Sequence, residues 1–178
     1  MKMSSTQKLV LAGLFLALGI IMPFLTGQIP NMGQALLPMH LPVLIAGFVL
    51  GGPYGFIIGL ILPVLRSLLL SSPPMFPHAV AMSFELAAYG FFTGLFYKVL
   101  PKKNWSVYLA LILAMLLGRG VWGAVSWLLF GLTDSTFTLG AFFGGAFLKA
   151  IPGIILQIVL IPVIIIALKR ARLMSNDC

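Results

Sequence analysis

Between Leu9 and Met22 the chain carries no charged residue, and apolar runs of this kind recur along its length. Crossing the hydrocarbon core of a bilayer takes about 20 apolar residues in helical form. Backbone in lipid must satisfy its own hydrogen bonds, which leaves only helices and closed barrels. The runs here are continuous rather than alternating, so helices are expected. Composition agrees: 61% of residues are hydrophobic and 8% charged, against about 45–50% and about 25% in soluble domains. That is too little polar surface to cover a globule in water. A soluble enzyme, a disordered chain and a secreted disulfide scaffold are thereby excluded. With 178 residues there is room for roughly six or seven spans. The expectation is an all-α integral membrane protein, one compact bundle of six transmembrane helices forming a single domain over residues 1–178.

Breakers place the spans. Helix 1 is expected at about 8–25, closed by Pro23 and Thr26-Gly27. A polar, uncharged stretch with Gln28, Asn31 and Gln34 follows. Helix 2 at about 39–51 is short for a span and ends at Gly51-Gly52-Pro53. Helix 3 covers about 54–71, broken by Ser71-Ser72-Pro73-Pro74 because proline cannot continue a helix. Helices 4, 5 and 6 are expected at about 77–98, 106–130 and 140–168. Lys2 and Lys8 ahead of the first run give it the look of a signal peptide. No A-x-A-like cleavage site follows, so it reads as a retained helix.

Charge then orients the bundle. The net charge of +8 comes from eleven Lys+Arg against three Asp+Glu. With both termini cytoplasmic, the inside segments hold Lys2, Lys8, Lys98, Lys102, Lys103, Lys169, Arg170 and Arg172. The outside loops at about 26–38, 72–76 and 131–139 hold no Lys or Arg and one acid, Asp134. This is the positive-inside pattern of a multi-pass cell-membrane protein, and not a nucleic-acid patch. Small residues also recur at four-residue spacing: Gly13/Ala17, Gly47/Gly51, Gly55/Gly59, Gly90/Gly94 and Gly140/Gly144. Such pairs let helix backbones approach closely. Most are expected to pack within the bundle, and the helix 1 pair to serve an external partner.

Arg66, Arg119, Lys149 and Glu85 fall inside the expected spans. A charge at the bilayer centre costs about 2.5–3.5 kcal/mol on insertion scales, so the four oppose insertion by on the order of 10 kcal/mol. At about 1.5 Å per residue, Arg66 lies roughly 8 Å, Glu85 12 Å, Lys149 13 Å and Arg119 17 Å below the outer helix ends. All four occupy the outer half or midplane on four different helices, where they can converge on an outward-facing pocket. Three cations against one carboxylate leave positive charge that an anionic, carboxylate-bearing solute would neutralise. Snorkelling to the interface is the competing reading for Arg66 and Lys149, and an internal salt bridge the competing reading for Glu85. His40 and His78 start helices 2 and 4, where capping or interfacial roles are the default. Trp122, three residues after Arg119, and Tyr89, one turn after Glu85, are candidate pocket walls.

No phosphate-binding G-x-x-x-x-G-K-[ST] loop, H-E-x-x-H zinc motif, His/Cys metal cluster or G-x-S-x-G elbow is present. The chain is read as no enzyme, with no cofactor and no metal: a binder that borrows its engine.

The run Leu37-Pro38-Met39-His40-Leu41-Pro42-Val43 and then Gly51-Gly52-Pro53-Tyr54-Gly55 resembles the substrate-specific S components of energy-coupling factor (ECF) vitamin transporters. So do Leu65-Arg66-Ser67, Pro73-Pro74-Met75-Phe76-Pro77, Phe84-Glu85-Leu86-Ala87 with Tyr89-Gly90, Gly118-Arg119, Trp122-Gly123 and Ile151-Pro152-Gly153. The likeness covers nearly the whole chain. It implies a six-helix subunit that captures a vitamin from outside and docks on a transmembrane coupling subunit carrying two cytoplasmic ATPases. Family members dock through small residues on helix 1, often Ala-x-x-x-Ala. Here Ala12 is followed four later by Leu16, and Gly13 with Ala17 is the nearest match. The loop after helix 1 commonly gates the pocket, which assigns Asn31 with Gln28 and Gln34 to the lid. The pattern is most similar to pantothenate-type members. Expected substrate-binding residues are Asn31, His40, Arg66, Glu85, Tyr89, Arg119, Trp122 and Lys149; expected docking residues are Ala12, Gly13 and Ala17. Pyridoxine, hydroxymethylpyrimidine and cobalamin S components share the scaffold. A membrane enzyme pairing Glu85 with His40 or His78, and a purely structural assembly subunit, remain as other classes.

Overall fold

The computed structural model describes residues 3–27, 35–101, 103–131, 138, 140, 144, 150–171 and 174. Among them stand six long helices: α1 (Ser5–Gly27), α2 (His40–Leu50), α3 (Gly52–Leu70), α4 (Val80–Val99), α5 (Asn104–Gly131) and α6 (Ile151–Arg170). The all-helical expectation holds for the described residues. Five stretches are long and apolar enough to cross a membrane, α4 together with the turn Met75–Ala79 that leads into it. The sixth helix, α2, has 11 residues and extends about 16 Å at 1.5 Å per residue. That is about half of a 30 Å hydrocarbon core. It does not lie in lipid: His40 to Leu44 and Ala46 to Leu50 are all buried.

Several boundaries differ from the sequence expectation. Helix α1 begins earlier because Ser4 and Gln7 cap it reciprocally. Gln7 N–H donates to Ser4 Oγ at 3.2 Å and Ser4 N–H to Gln7 Oε1 at 2.9 Å, which satisfies two otherwise orphaned donors. The helix runs through Pro23 and ends at Gly27, within the Thr26-Gly27 pair expected to close it; proline removes one ladder bond, which a membrane helix with packed neighbours tolerates. Pro63 in α3 and Pro162 in α6 are interior in the same way. Helix α6 starts at Ile151, not near 140, with Ala150 as its N-cap and Pro152 in the first turn, where a missing N–H is harmless. Residues 141–143 and 145–149 lie outside the described set, and so does Lys149.

Helix α4 is the interior member. It packs on α2, α3 and α5, and Glu85 to Gly90 are buried in unbroken succession, so it has no outward face over that stretch. Glycine makes this possible. A Cβ on Gly55 would come 2.5 Å from Gly90 O, one on Gly59 would overlap the Leu86 backbone, and one on Gly94 would overlap Gly52. Gly47 of α2 approaches the same Gly90 carbonyl, also at 2.5 Å from its would-be Cβ. The small-residue pairs of helices 2, 3 and 4 are thus internal packing devices. Gly51 turns α2 into α3 with φ 90°, a left-handed conformation that favours glycine.

Three contacts tie alternate helix ends together at what is expected to be the outer side. Gly153 N–H at the start of α6 donates to Ala35 O just before α2, at 3.0 Å. The ring of His78, exposed before α4, lies 5.7 Å edge-on to Phe130 near the end of α5. Arg66 near the end of α3 reaches Met39 before α2 and the ring of Phe24 near the end of α1. Outward faces bear Leu9, Leu14, Ile57, Leu68, Leu116 and Val159, all exposed, as the surface of a helix bundle in lipid requires.

Candidate functional site

The site grows from Glu85. It lies on the interior helix, one turn before Tyr89, so both side chains project from one face. Glu85 is 2% and Arg119 6% exposed. Arg119 comes from α5 and places Nη1 2.8 Å from Glu85 Oε1. Tyr89 O–H donates to the same oxygen at 3.1 Å. His40, first residue of α2, brings Nε2 to 3.7 Å from it, too far for a hydrogen bond, with its ring 5.5 Å from that of Tyr89. The sequence-predicted residues His40, Glu85, Tyr89 and Arg119 therefore meet on three helices.

Glycine again fixes the geometry. A Cβ on Gly118 would overlap the Tyr89 ring at Cδ1 and Cε1. With hydrogen there instead, Tyr89 lies flush on α5 and its hydroxyl reaches the carboxylate that Arg119, the next residue, also engages. The Gly118-Arg119 pair is one device: the first residue seats the tyrosine and the second supplies the charge.

The remaining valences of the cluster matter most. Among the described residues, Arg119 Nε and Nη2 are buried without a hydrogen-bond partner, and the same holds for both ring nitrogens of His40. Leaving a buried polar group unpaired costs about 1–3 kcal/mol, more for a charged one. An interior that carries several such groups together is unusual. Because Glu85 occupies Nη1, the free edge of the guanidinium is the Nε–Nη2 side, which presents two parallel donors to a carboxylate.

Arg66 is half-buried and does not join Glu85. Among the described residues it donates from Nη1 to Met39 Sδ at 3.2 Å and lies 5.9 Å from the Phe24 ring, with Nε buried and unpartnered. It borders the cluster through Met39, the neighbour of His40. Trp122 is half-buried one turn from Arg119 towards the end of α5. His78 stays on the surface, which matches an interfacial role and removes it as an acid/base partner for Glu85. Asn31, with Gln28 and Gln34, and Lys149 lie outside the described residues. The excess of positive charge is consequently narrower than the sequence alone implies: among the described residues Arg119 pairs with Glu85, and Arg66 stands apart beside Met39 and Phe24.

Four buried, uncharged polar side chains without a partner among the described residues escape a search for charges: Thr93, Ser106, Ser126 and Gln157. Gln157 on α6 is 1% exposed and both atoms of its amide lack a partner; Ser126 Oγ on α5 is in the same condition. Spacing was the available signal. Ser126 lies seven residues after Arg119, two turns along one face, and Gln157 four after Gly153, on the stripe Gly153, Gln157, Ile161, Ile165 that α6 buries. No group of three or more His, Cys, Asp or Glu capable of holding a metal occurs among the described residues.

On helix 1 the faces separate. Ala12 is buried and points into the bundle, which removes it from an external docking surface. Gly13 and Ala17 are exposed, and a Cβ on Gly13 would meet nothing within 4 Å.

A helical membrane bundle that encloses a charged cluster with unsatisfied donors can hold a polar solute in its interior. A family model described as ECF transporter, substrate-specific component, matches residues 7–165. The chain belongs to that family. No individual curated protein and no solved structure matched it. Membership makes it a multi-pass cell-membrane protein and a substrate-binding transport subunit rather than an enzyme. It also implies a vitamin-type substrate and association with a module of transmembrane coupling and ATPase subunits.

Proposed function

We propose that the chain captures pantothenate, a small carboxylate with hydroxyl and amide groups, and passes it inward when docked on its coupling module. The Nε–Nη2 edge of Arg119 carries this reading, because two buried donors without acceptors fit the two oxygens of one carboxylate. Glu85 and Tyr89 hold the guanidinium through Nη1 and the shared oxygen, so that edge is set before the ligand arrives. His40 lines the neighbouring wall, Trp122 flanks it, and Arg66 adds cationic character nearer the outer end, with Lys149 a further cationic candidate from the sequence. Asn31 belongs to the lid.

Capture is from the outside, with both termini cytoplasmic, in keeping with the basic residues at Lys98, Lys103, Lys169 and Arg170. The exposed pair Gly13 and Ala17 forms the docking face on α1, against a coupling subunit that carries two cytoplasmic ATPases.

Competition binding to purified protein in detergent tests the ligand. Labelled pantothenate should bind and be displaced by unlabelled pantothenate but not by pyridoxine, hydroxymethylpyrimidine or cobalamin. Binding of labelled pyridoxine, with labelled pantothenate not bound, removes the anion reading and leaves family membership intact.

A further inference from the structure

We propose that Gln157, aided by Ser126, is the specificity-determining contact of this site: it pairs with the uncharged hydrogen-bonding groups of the solute whose carboxylate Arg119 holds. The inference rests on the anion reading above and adds to it a demand on the rest of the ligand.

Position comes first. Helix α6 packs on α2 and α5, the helices that supply His40 and Arg119. Its buried stripe meets the start of α2 directly, since Gly153 N–H donates to Ala35 O and a Cβ on Gly153 would come 2.6 Å from that oxygen. Gln157 is one turn further in on the same stripe, among Ile161 and Ile165. In lipid the cheap choice for a helix position buried to 1% is another isoleucine. An amide there, with neither oxygen nor nitrogen paired among the described residues, is a liability that packing does not explain.

Chemistry then narrows the ligand. Among the described residues, the unpartnered groups on these three helices are one guanidinium edge, an imidazole, an amide and two hydroxyls, of which Ser106 Oγ lies at the far end of α5, thirteen residues before Arg119. Only the guanidinium is a fixed charge, and Glu85 already offsets it in part. An amide and a hydroxyl both donate and accept, so they fit the amide and hydroxyl groups of a monoanion better than a second acid or a phosphate. Ser126 lies about 10 Å along α5 from Arg119 at 1.5 Å per residue. The acid end and the neutral end of the ligand are thus read at separate places, which suits an elongated solute. A site built to pair such groups rejects analogues that lack them more strongly than an apolar pocket rejects a misfit.

The test is Gln157→Leu, measured by thermal unfolding without ligand and by calorimetric titration with pantothenate and with hexanoate, a bare carboxylate. Removing an unpaired amide should leave the unliganded melting temperature unchanged or raised. Pantothenate affinity should fall tenfold or more, while the weak binding of hexanoate changes less than threefold. A melting temperature lowered by several degrees, or pantothenate binding equal to wild type, overturns the assignment. Where wild type binds pyridoxine instead, the anion reading fails separately. Loss of pyridoxine affinity in Gln157→Leu then retains the Gln157 contact, and unchanged affinity overturns it. Wild-type protein that binds none of these probes overturns both.

Discussion

The ring of Tyr89 lies against Gly118 so closely that a methyl group at Gly118 would occupy the same space as two ring carbons. That contact couples the packing of α4 on α5 to the hydrogen bond from the Tyr89 hydroxyl to Glu85. Gly118→Ala must push the ring aside and break the bond. Overpacking of this kind costs about 1–3 kcal/mol, to be read as a lowered melting temperature together with weaker ligand binding. Gly120→Ala, where an added Cβ meets nothing within 4 Å, should match wild type in both.

Glu85 and Arg119 form a buried ion pair at 2.8 Å. Removing one member leaves the other's charge uncompensated, at a cost of about 3–5 kcal/mol. Glu85→Leu and Arg119→Leu should each unfold at markedly lower temperature, and the double variant should be more stable than either. A double-mutant cycle by thermal unfolding measures this. Additive single effects would mean the two groups do not stabilise each other. Ligand binding should be absent in the double variant even where stability returns.

The crossing of α3 and α4 depends on the absence of side chains at Gly55 and Gly90, whose backbones touch. Valine at either position separates the interior helix from its neighbour and should prevent accumulation of monodisperse protein, read by size-exclusion chromatography after detergent extraction. Gly13→Val, on an open face, should behave as wild type in the same assay.

Much of this was legible in the sequence because charge inside an apolar run is conspicuous. Glu85, Tyr89 and Arg119 stood out by depth and by one-turn spacing, and they meet. The glycine pairs announced close crossings, though not which helices would cross. Gln157 and Ser126 were passed over because a neutral polar residue barely lowers the hydropathy of its run, and only burial reveals that it has no partner. The start of α1 was hidden for a different reason: a Ser4–Gln7 cap is a local hydrogen-bonding pattern, invisible to a scan for apolar length. Pro23 contributes little to ending α1, which stops at the Thr26-Gly27 pair, since helices packed in a bundle absorb the lost bond. Ala12 and Gly13 are adjacent in sequence, yet the turn of about 100° between them buries one and exposes the other, so helical phase, not residue size, decides which can meet a partner.

Docking through α1 makes a separable prediction. Gly13→Trp and Ala17→Trp place bulk on an exposed face and should leave pantothenate affinity unchanged while abolishing co-purification with the coupling module. Ala12→Trp drives the same bulk into the core and should destabilise the protein instead. Retained co-purification of both outward variants would move the docking face elsewhere.

The most direct test of the account is the affinity of Arg119→Lys for pantothenate by isothermal titration. Lysine keeps a positive charge for Glu85 but has no second edge with two parallel donors. The account predicts a loss of about a hundredfold or more, equal to roughly 2.7 kcal/mol, with the unliganded melting temperature within a few degrees of wild type. Wild-type affinity in Arg119→Lys would contradict it, because the free guanidinium edge would then not be what holds the solute.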